Sequence, residues 1–328
     1  MRLIITIIAS FFYHISFSQD IDFTKYYFDI NKAEIAMFNK NYASADSIYW
    51  AIFKEFKNGY AQDFLTAAKN SRNLDNIENT IYFLKQGFKN GLEYELVKRD
   101  NVYQYLKKNN KIGQIKKIYK EIRKKYIAGL NVDLRNAIAE MVKEDQKYRK
   151  WWYGRKPWAV QKQLLIKVDA ENFDKILVIC KEFGFPGRNL VGDDRCEESF
   201  VDVPTLLRHM DSTKLNILKP YVLDCILKGN FHPYHYVSAL DYVSMIKTTV
   251  EDLDENGNHI LIIQQEYGTM LGMEDGINII LPVKKLEGIN NKRAEFYLEP
   301  IEDYALKKGC DIPREGFFKR TFEKLQNK

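Results

Sequence analysis

Apolar residues recur at helical spacing between Asp22 and Tyr126, in runs separated by short polar breaks. In "KAEIAMFNKNYASADSIYWAIFKEF" one apolar face precedes the break "NKN" and another follows it, which predicts two helices joined by a tight turn. The segment "YAQDFLTAAKNSRNLDNIENTIYFLKQGFKNG" repeats the pattern. A single helix pair cannot bury its own apolar face, so the pairs must stack against one another. The sequence therefore predicts an N-terminal domain built from helix pairs.

The segment "NYASADSIYWAI" resembles a tetratricopeptide-type repeat. It places Tyr42, Ala45, Tyr49 and Ile52 at the spacing of that repeat, in which a small residue lets adjacent helices approach each other. The resemblance covers about a hundred residues and implies a tetratricopeptide-like helical architecture. Such repeats mostly bind peptides or act as spacers, so a peptide or protein is the partner we expect for this domain.

The first residues, "MRLIITIIASFFYHISFSQD", have the layout of a secretory signal peptide: one basic residue, a short apolar run, and then small and polar residues. We expect residues 1–19 to be this peptide, with cleavage near Gln19 and a secreted or periplasmic product. No later stretch is apolar for long enough to cross a bilayer, so the sequence does not predict a membrane-embedded protein.

At 328 residues the chain is long enough for two domains. The segment "YIAGLNVDL" offers a helix stop followed by a new helix start, so we place the boundary near residue 128. Residues 20–127 then form the repeat domain and residues 128–328 a second domain. The 21 Tyr and 20 Phe are more aromatic residues than usual, and they fit a helical fold in which rings fill the gaps between elements.

The second domain is predicted to be mainly helical with one β-hairpin near residues 258–283. Asp202 stands before "VPTLLRHM" as a helix cap, with Pro204 in the first turn. The apolar stretches "NHILIIQQEYGTML" and "INIILPV" predict strands, and "GMEDG" between them predicts the connection. From about Asn290 to the end the pattern is helical again.

The charge and the cysteine content argue against a nucleic-acid-binding protein and against a zinc-binding protein. The net charge of +6 is mild, and the densest basic stretch, "KIGQIKKIYKEIRKKY", has helical spacing that leaves its lysines in solvent, so no nucleic-acid partner is expected. None of the four cysteines forms a CxxC pair, which argues against a zinc site. Cys180 and Cys225 lie in apolar runs and are predicted core residues. Cys196 is a candidate end of a disulfide whose pairing the sequence leaves open.

Only five histidines occur in the chain, and "LLRHMDSTK" puts His209 two positions from Asp211. His209 falls at the edge of an apolar helical stripe, where a side chain can line a cleft, and Asp211 can either assist it or cap the next helix at Ser212 or Thr213. His232 and His235 in "FHPYH" can belong to a metal shell or to an ordinary capping turn. The sequence predicts no metal site and no cofactor.

The second half of the chain also resembles an uncharacterised bacterial domain family, often exported, that carries Gly-Trp-Pro-Gly, Gln-His-Ala-Asp and Gln-x-Tyr-Gly-Thr-Gln patterns. The corresponding segments here are "EDQKYR" at 144–149, "GFPG" at 184–187, "RHMD" at 208–211, "LDY" at 240–242, "QEYGTM" at 265–270 and "NKRAEFYLEPIEDY" at 291–304. Arg208, Tyr242 and Met270 depart from the pattern, so this copy can have lost or changed part of the set.

The resemblance implies that nine polar residues belong to a common site: Asp145, Gln146, Arg149, His209, Asp211, Asp241, Gln265, Tyr267 and Thr269. Alternation along a strand would also put Gln265, Tyr267 and Thr269 on one face. We expect His209, Asp241, Gln265 and Tyr267 to line one concave pocket. The family brings no known activity with it.

Two functions fit these observations. The first is an exported protein- or peptide-binding module, because repeats are present and no nucleophile motif is recognised. The second is a hydrolase-like enzyme in which His209 is the base, Asp211 or Asp241 orients it, and Tyr267 and Gln265 polarise the substrate. Asp145, Gln146, Arg149 and Thr269 would then contact the ligand. The sequence leaves the oligomeric state open.

Overall fold

The computed structural model describes residues 22–150, 158–192, 201–248, 251–253, 259–316 and 318–322. The predicted signal peptide and the disulfide candidate Cys196 lie outside these ranges. Within them the chain forms fourteen helices and five short strands, so the predicted mainly helical fold is confirmed. No helix among these residues combines the length and the apolar character needed to cross a membrane.

The N-terminal part consists of helices paired through tight turns, as the repeat pattern predicts. They are α1 (Thr24–Phe38), α2 (Tyr42–Glu55), α3 (Ala61–Asn73), α4 (Ile77–Lys89), α5 (Tyr94–Lys98), α6 (Asn101–Lys108) and α7 (Ile112–Ala128). Asn41 caps α2, since its side-chain oxygen accepts the N–H of Ser44, and Asn76 caps α4 by accepting the N–H of Asn79. Ala45 is completely buried, which is what the close approach of paired helices requires.

The C-terminal part begins with five further helices. They are α8 (Val132–Lys150), α9 (Trp158–Phe183), α10 (Val203–Arg208), α11 (Ser212–Leu227) and α12 (Pro233–Thr248). Asp202 caps α10 with Pro204 in its first turn, as predicted. Two shorter helices follow the strands: α13 (Ile289–Ala294) and α14 (Ile301–Lys308). Cys180 and Cys225 are buried, which confirms their assignment to the core.

Five strands form two small antiparallel sheets. They are β1 (Glu251–Leu253), β2 (His259–Ile263), β3 (Leu271–Glu274), β4 (Ile277–Ile280) and β5 (Phe318–Phe322). The predicted hairpin exists as β3 and β4, joined at Asp275 and Gly276, whose positive φ angles allow a two-residue turn. Its first strand was predicted too early in the chain. β2 instead lies between β1 and β5 in a separate sheet, and β5 also replaces the helix expected at the end of the chain.

A continuous hydrophobic core joins the N-terminal helices to the C-terminal part. At the start of α1, the N–H of Phe23 donates to the carbonyl of Leu227 (3.0 Å) and the Tyr27 hydroxyl donates to the carbonyl of Ile226 (2.8 Å). Gly229 leaves room for this contact, because a Cβ atom there would lie 2.4 Å from the ring of Phe23. Helix α1 is therefore docked on the end of α11.

Arg188, which directly follows the "GFPG" segment, makes a second contact between the N-terminal and the C-terminal part. Its guanidinium donates from Nε to the carbonyl of Gly229 (2.7 Å), from Nη1 to that of Gly59 (2.7 Å) and from Nη2 to that of Asn58. It also lies 4.3 Å from the ring centroid of Tyr60. The predicted domain boundary falls at the end of α7, and whether the two parts fold separately stays a prediction.

Candidate functional site

Four of the nine predicted polar residues meet where α8 and α9 lie beside the end of α10. Asp145 and Arg149 are one turn apart on α8, and His209 follows the last residue of α10. The Nδ1 atom of His209 lies 3.0 Å from Oδ1 of Asp145, whose Oδ2 accepts from Nε2 of Gln146 (2.8 Å) and from Nε of Arg149 (3.2 Å). Arg149 also pairs with Asp169 on α9, a residue that the sequence reading missed.

The pKa values of the two carboxyl groups in this cluster are shifted in opposite directions. Burial alone would raise the pKa of Asp145, but the hydrogen bonds and charges of His209 and Arg149 outweigh burial and hold the pKa below its usual range. Burial raises the pKa of Asp169 and prevails over Arg149 there. An ionised carboxylate can only accept, so Nδ1 of His209 carries the hydrogen and Nε2 is left for another partner.

Three groups of this cluster have the types of atom that bind metal ions. Ligand atoms of Asp145, Asp169 and His209 all lie within 4.8 Å of one another. However, Arg149 makes ion pairs with both carboxylates and already supplies the positive charge that a metal ion would supply. The arrangement therefore fits an acid–base role better than a metal centre.

Asp211 does not contact His209 in the way that a catalytic pair requires. Its Oδ1 accepts the N–H of Lys214 (3.0 Å), and α11 begins at Ser212. This confirms the alternative reading of Asp211 as a helix cap. The carboxylate that contacts the imidazole is instead Asp145, which lies 64 residues earlier in the chain.

Asp241 on α12 holds the loop between β2 and β3. Its side chain is completely buried, and its two oxygens accept the backbone N–H groups of Glu266, Tyr267 and Thr269 and the hydroxyl of Thr269, all within 2.9 Å. Burial raises the pKa of Asp241, while these four hydrogen bonds oppose the rise. Both oxygens are thus occupied by the protein itself.

The segment "QEYGTM" is a loop and not a strand, so the prediction that Gln265, Tyr267 and Thr269 share one strand face was wrong. The physical reason is that the backbone turns its N–H groups inward to Asp241 and passes Gly268 at φ 74°. Gln265 closes the loop from within: its Oε1 accepts the N–H of Met270 (2.8 Å) and its Nε2 donates to the carbonyl of Leu281 (2.5 Å). Burial raises the pKa of the Tyr267 hydroxyl to about 12, so it remains protonated.

Eight of the nine predicted residues thus form two groups, and Asp211, the cap of α11, belongs to neither. Asp145, Gln146, Arg149 and His209 make the first, and Asp241, Gln265, Tyr267 and Thr269 make the second. That the two groups share one pocket stays a prediction.

A cavity of about 730 Å³ lies elsewhere, between the N-terminal helices and the C-terminal part. None of the nine predicted residues lines it. Six tyrosines do: Tyr26, Tyr27, Tyr60, Tyr234, Tyr297 and Tyr304. The exposed residues Gln62 and Lys308 also lie on its wall, so the cavity opens to solvent. Its volume is in the range of ordinary ligand sites.

The charged group that sets this cavity apart is Asp63, in the first turn of α3. Its Oδ2 accepts from the hydroxyl of Tyr26 (2.7 Å), which in turn accepts the N–H of Tyr60 (2.9 Å). Burial raises the pKa of Asp63 to about 7, and the nearby charge of Glu34 adds to the rise, although the Tyr26 hydrogen bond opposes it. Near neutral pH this carboxyl group is therefore divided between its two protonation states.

His232 and His235 also line the cavity. Nδ1 of His232 accepts the N–H of Tyr234 (3.2 Å) just before α12, which agrees with the capping-turn reading of "FHPYH". The imidazole lies 5.1 Å from the ring of Tyr60, centroid to centroid. The sequence reading missed this site, because it assigned the excess of tyrosine to core packing. The pair "YY" at 26–27 in the first helix was the available signal.

The chain matches no known protein-family profile, and no curated protein or solved structure is significantly similar to it. The resemblance to an exported domain family therefore stays a prediction.

Proposed function

We propose that this protein is a binding module whose ligand, a peptide or a segment of a partner protein, occupies the cavity between α1 and α3 on one side and α12 and α14 on the other. The observation that carries the proposal is the 730 Å³ cavity with six tyrosines on its wall. Tyrosine offers a large and rigid contact area with a polar tip, which suits the recognition of peptides. The predicted repeat, with its usual peptide partners, supports the same conclusion.

A variant that fills the cavity tests this proposal. Ala61 is half-buried and lines the cavity, so Ala61→Trp should block it, whereas Ala51→Trp on the exposed side of α2 gives the same change outside it. We expect a pooled peptide library to raise the melting temperature of the wild type and of Ala51→Trp, because a ligand of the native state stabilises it by mass action. Ala61→Trp should show no such shift. Equal shifts in all three proteins, or none in the wild type, would contradict the proposal.

A second candidate function is a hydrolase-like activity at His209. The observation that favours it is the contact between His209 and Asp145, in which the carboxylate orients the imidazole and leaves Nε2 able to take a proton from water. Asp145 thus takes the orienting role that the sequence reading gave to Asp211 or Asp241. Such a pair needs a substrate within hydrogen-bond distance of Nε2.

The enzymatic alternative can be tested with a panel of ester and amide substrates. His209→Ala should abolish any turnover, and Asp145→Asn should lower it by roughly ten-thousandfold, since an amide no longer fixes the tautomer. Asp211→Asn serves as the control, because Asp211 caps a helix. His209→Ala should cost no more than about 1 kcal/mol of stability if the residue serves a site. Turnover unaffected by His209→Ala would remove this candidate.

We also propose that the protein is exported, on the strength of its first nineteen residues. N-terminal sequencing of the protein from its producing cell should find a chain that begins near Asp20. An intact Met1 in the soluble fraction would contradict export.

A further inference from the structure

Two of the three lysines on the cavity wall are paired with carboxylates of the protein. Lys307 lies between Glu34 (2.7 Å) and Glu299 (3.1 Å), and Lys69 contacts Asp100 (2.7 Å). These lysines balance charges within the protein. The third lysine, Lys308, is exposed and lies 5.4 Å from the centroid of the Tyr304 ring, so most of the positive charge on the wall is already matched.

Asp63 is in the opposite situation. Among the described residues, no lysine, arginine or histidine nitrogen lies within 4.0 Å of its carboxylate. Its hydrogen-bond partner is a neutral hydroxyl, that of Tyr26, which holds the carboxylate in place without matching its charge. A buried carboxylate is costly unless it is paired, so a cation brought by a ligand would stabilise it.

Tyrosine rings line the same cavity as this carboxylate. The rings of Tyr26 and Tyr60 have centroids 5.9 Å apart, those of Tyr27 and Tyr60 are 6.2 Å apart, and those of Tyr27 and Tyr297 are stacked at 6.2 Å. The face of an aromatic ring attracts cations, and Tyr60 already accepts the guanidinium of Arg188 at 4.3 Å. A carboxylate in a cavity lined by aromatic rings offers an ammonium or guanidinium group both an ion pair and ring faces.

We infer that the ligand of this cavity carries a cationic group, an ammonium or a guanidinium, which pairs with Asp63 and lies against the tyrosine rings. The inference rests on the proposed function, because it assumes that the cavity is the binding site. The same chemistry is found in a lysine or arginine side chain of a peptide and in a free alkylamine. The flexible stem of either would pack on the rings while its charged end reaches the carboxylate.

The experiment compares peptides that differ in the charge of one central side chain, together with one free amine. Blocked pentapeptides with a central Lys, Arg, norleucine or Glu, together with butylamine as the free amine, are titrated calorimetrically into the full chain at pH 8. We expect the Lys or Arg peptide to bind at least about tenfold more tightly than the norleucine and Glu peptides, as one charge-assisted hydrogen bond implies. Butylamine that binds as well as the peptides would identify a free amine as the source of the cation.

Variants of Asp63 assign the effect to that carboxylate. Asp63→Asn keeps the shape and the acceptor for Tyr26 and should remove the tenfold preference, whereas Asp63→Glu, which keeps the charge, should retain a preference. Asp46→Asn is the matched control: Asp46 is a partly buried carboxyl group on the neighbouring helix and does not line the cavity. It should leave binding unchanged.

The outcomes separate this inference from the proposed function. Norleucine binding as tight as lysine binding, or a preference that survives Asp63→Asn, overturns the inference, while binding that Ala61→Trp blocks still supports a peptide site. If none of these ligands binds and the pooled library gives no shift either, the proposed function fails together with the inference.

Discussion

A single carboxyl group, that of Asp63, links stability to ligand binding at the residue scale. Its pKa of about 7 in the folded protein lies well above the usual value of about 3.9 for aspartate in an unfolded chain. Between these two pH values the folded protein binds a proton that the unfolded chain has released. The stability that this group contributes is therefore fully present below about pH 3.9, and it declines as the pH rises from there through about 7.

The first prediction follows from this decline in stability with rising pH. Asp63→Asn removes the charge that burial disfavours, so the variant should be more stable than the wild type at pH 8, by about 1 kcal/mol or more, and nearly equal to it at pH 4. In both proteins Glu34 makes the electrostatic potential at residue 63 more negative, and Lys307 and Arg188 make it less negative. Urea denaturation at pH 4, 6 and 8 measures the difference. A difference that does not change with pH would show that Asp63 is ionised throughout.

At the scale of single elements, the helices could be read from the sequence because their signals are local. Apolar spacing predicts the pairs α1–α2 and α3–α4, and the caps at Asp202 and Asp211 follow from one residue and its successors. The positions of the strands were predicted less well than those of the helices. One partner of β2, β1, is close in sequence, but the other, β5, pairs with residues more than fifty positions away, so no local pattern could indicate that pairing.

The loop at 265–270 was misread for a related reason. It directly follows the apolar run of β2 and was read as a continuation of that strand, but the residue that determines its shape, Asp241, lies on α12. Only the folded chain brings that carboxylate to the loop. The contact between His209 and Asp145 was missed for the same reason, although the family resemblance did put both residues on the list of candidates.

The second prediction tests the role of Asp241. Replacement by Ala leaves the N–H groups of Glu266, Tyr267 and Thr269 without their acceptor in a buried place, and we expect a loss of about 3 kcal/mol or more. Asp211→Ala removes an exposed helix cap and should cost about 1 kcal/mol. Urea denaturation of the two variants under one set of conditions gives the comparison. If Asp241→Ala cost no more than Asp211→Ala, the loop would owe its shape to something else.

At the scale of the whole molecule, the cavity exists because the two parts of the chain are docked on each other. Its walls come from α1 and α3 at one end of the sequence and from α12 and α14 near the other. Local sequence patterns do not indicate which distant segments will face each other, so neither the cavity nor Asp63 was recognised as a site from them. The docking contacts therefore also determine whether a ligand can be bound.

The third prediction concerns this docking. Arg188→Ala removes the hydrogen bonds to the carbonyls of Asn58, Gly59 and Gly229 and the contact with the Tyr60 ring. The N-terminal helices should then separate more readily, and limited proteolysis in the turn at 129–131 should become roughly tenfold faster, because cleavage follows the population of the open state. Both fragments should keep helical circular dichroism, as the predicted boundary near residue 128 requires.

Arg314→Ala is the control for this experiment, since Arg314 is exposed and pairs with Glu274 at the hairpin, away from the docking contacts. It should be cleaved at the rate of the wild type. Arg188→Ala should also weaken ligand binding without any change to Asp63, because the cavity keeps its shape only while α1 stays docked on α11. Faster cleavage with unchanged binding would mean that the ligand contacts only one of the two parts. Cleavage at the same rate in both variants would mean that the core, and not Arg188, holds the parts together.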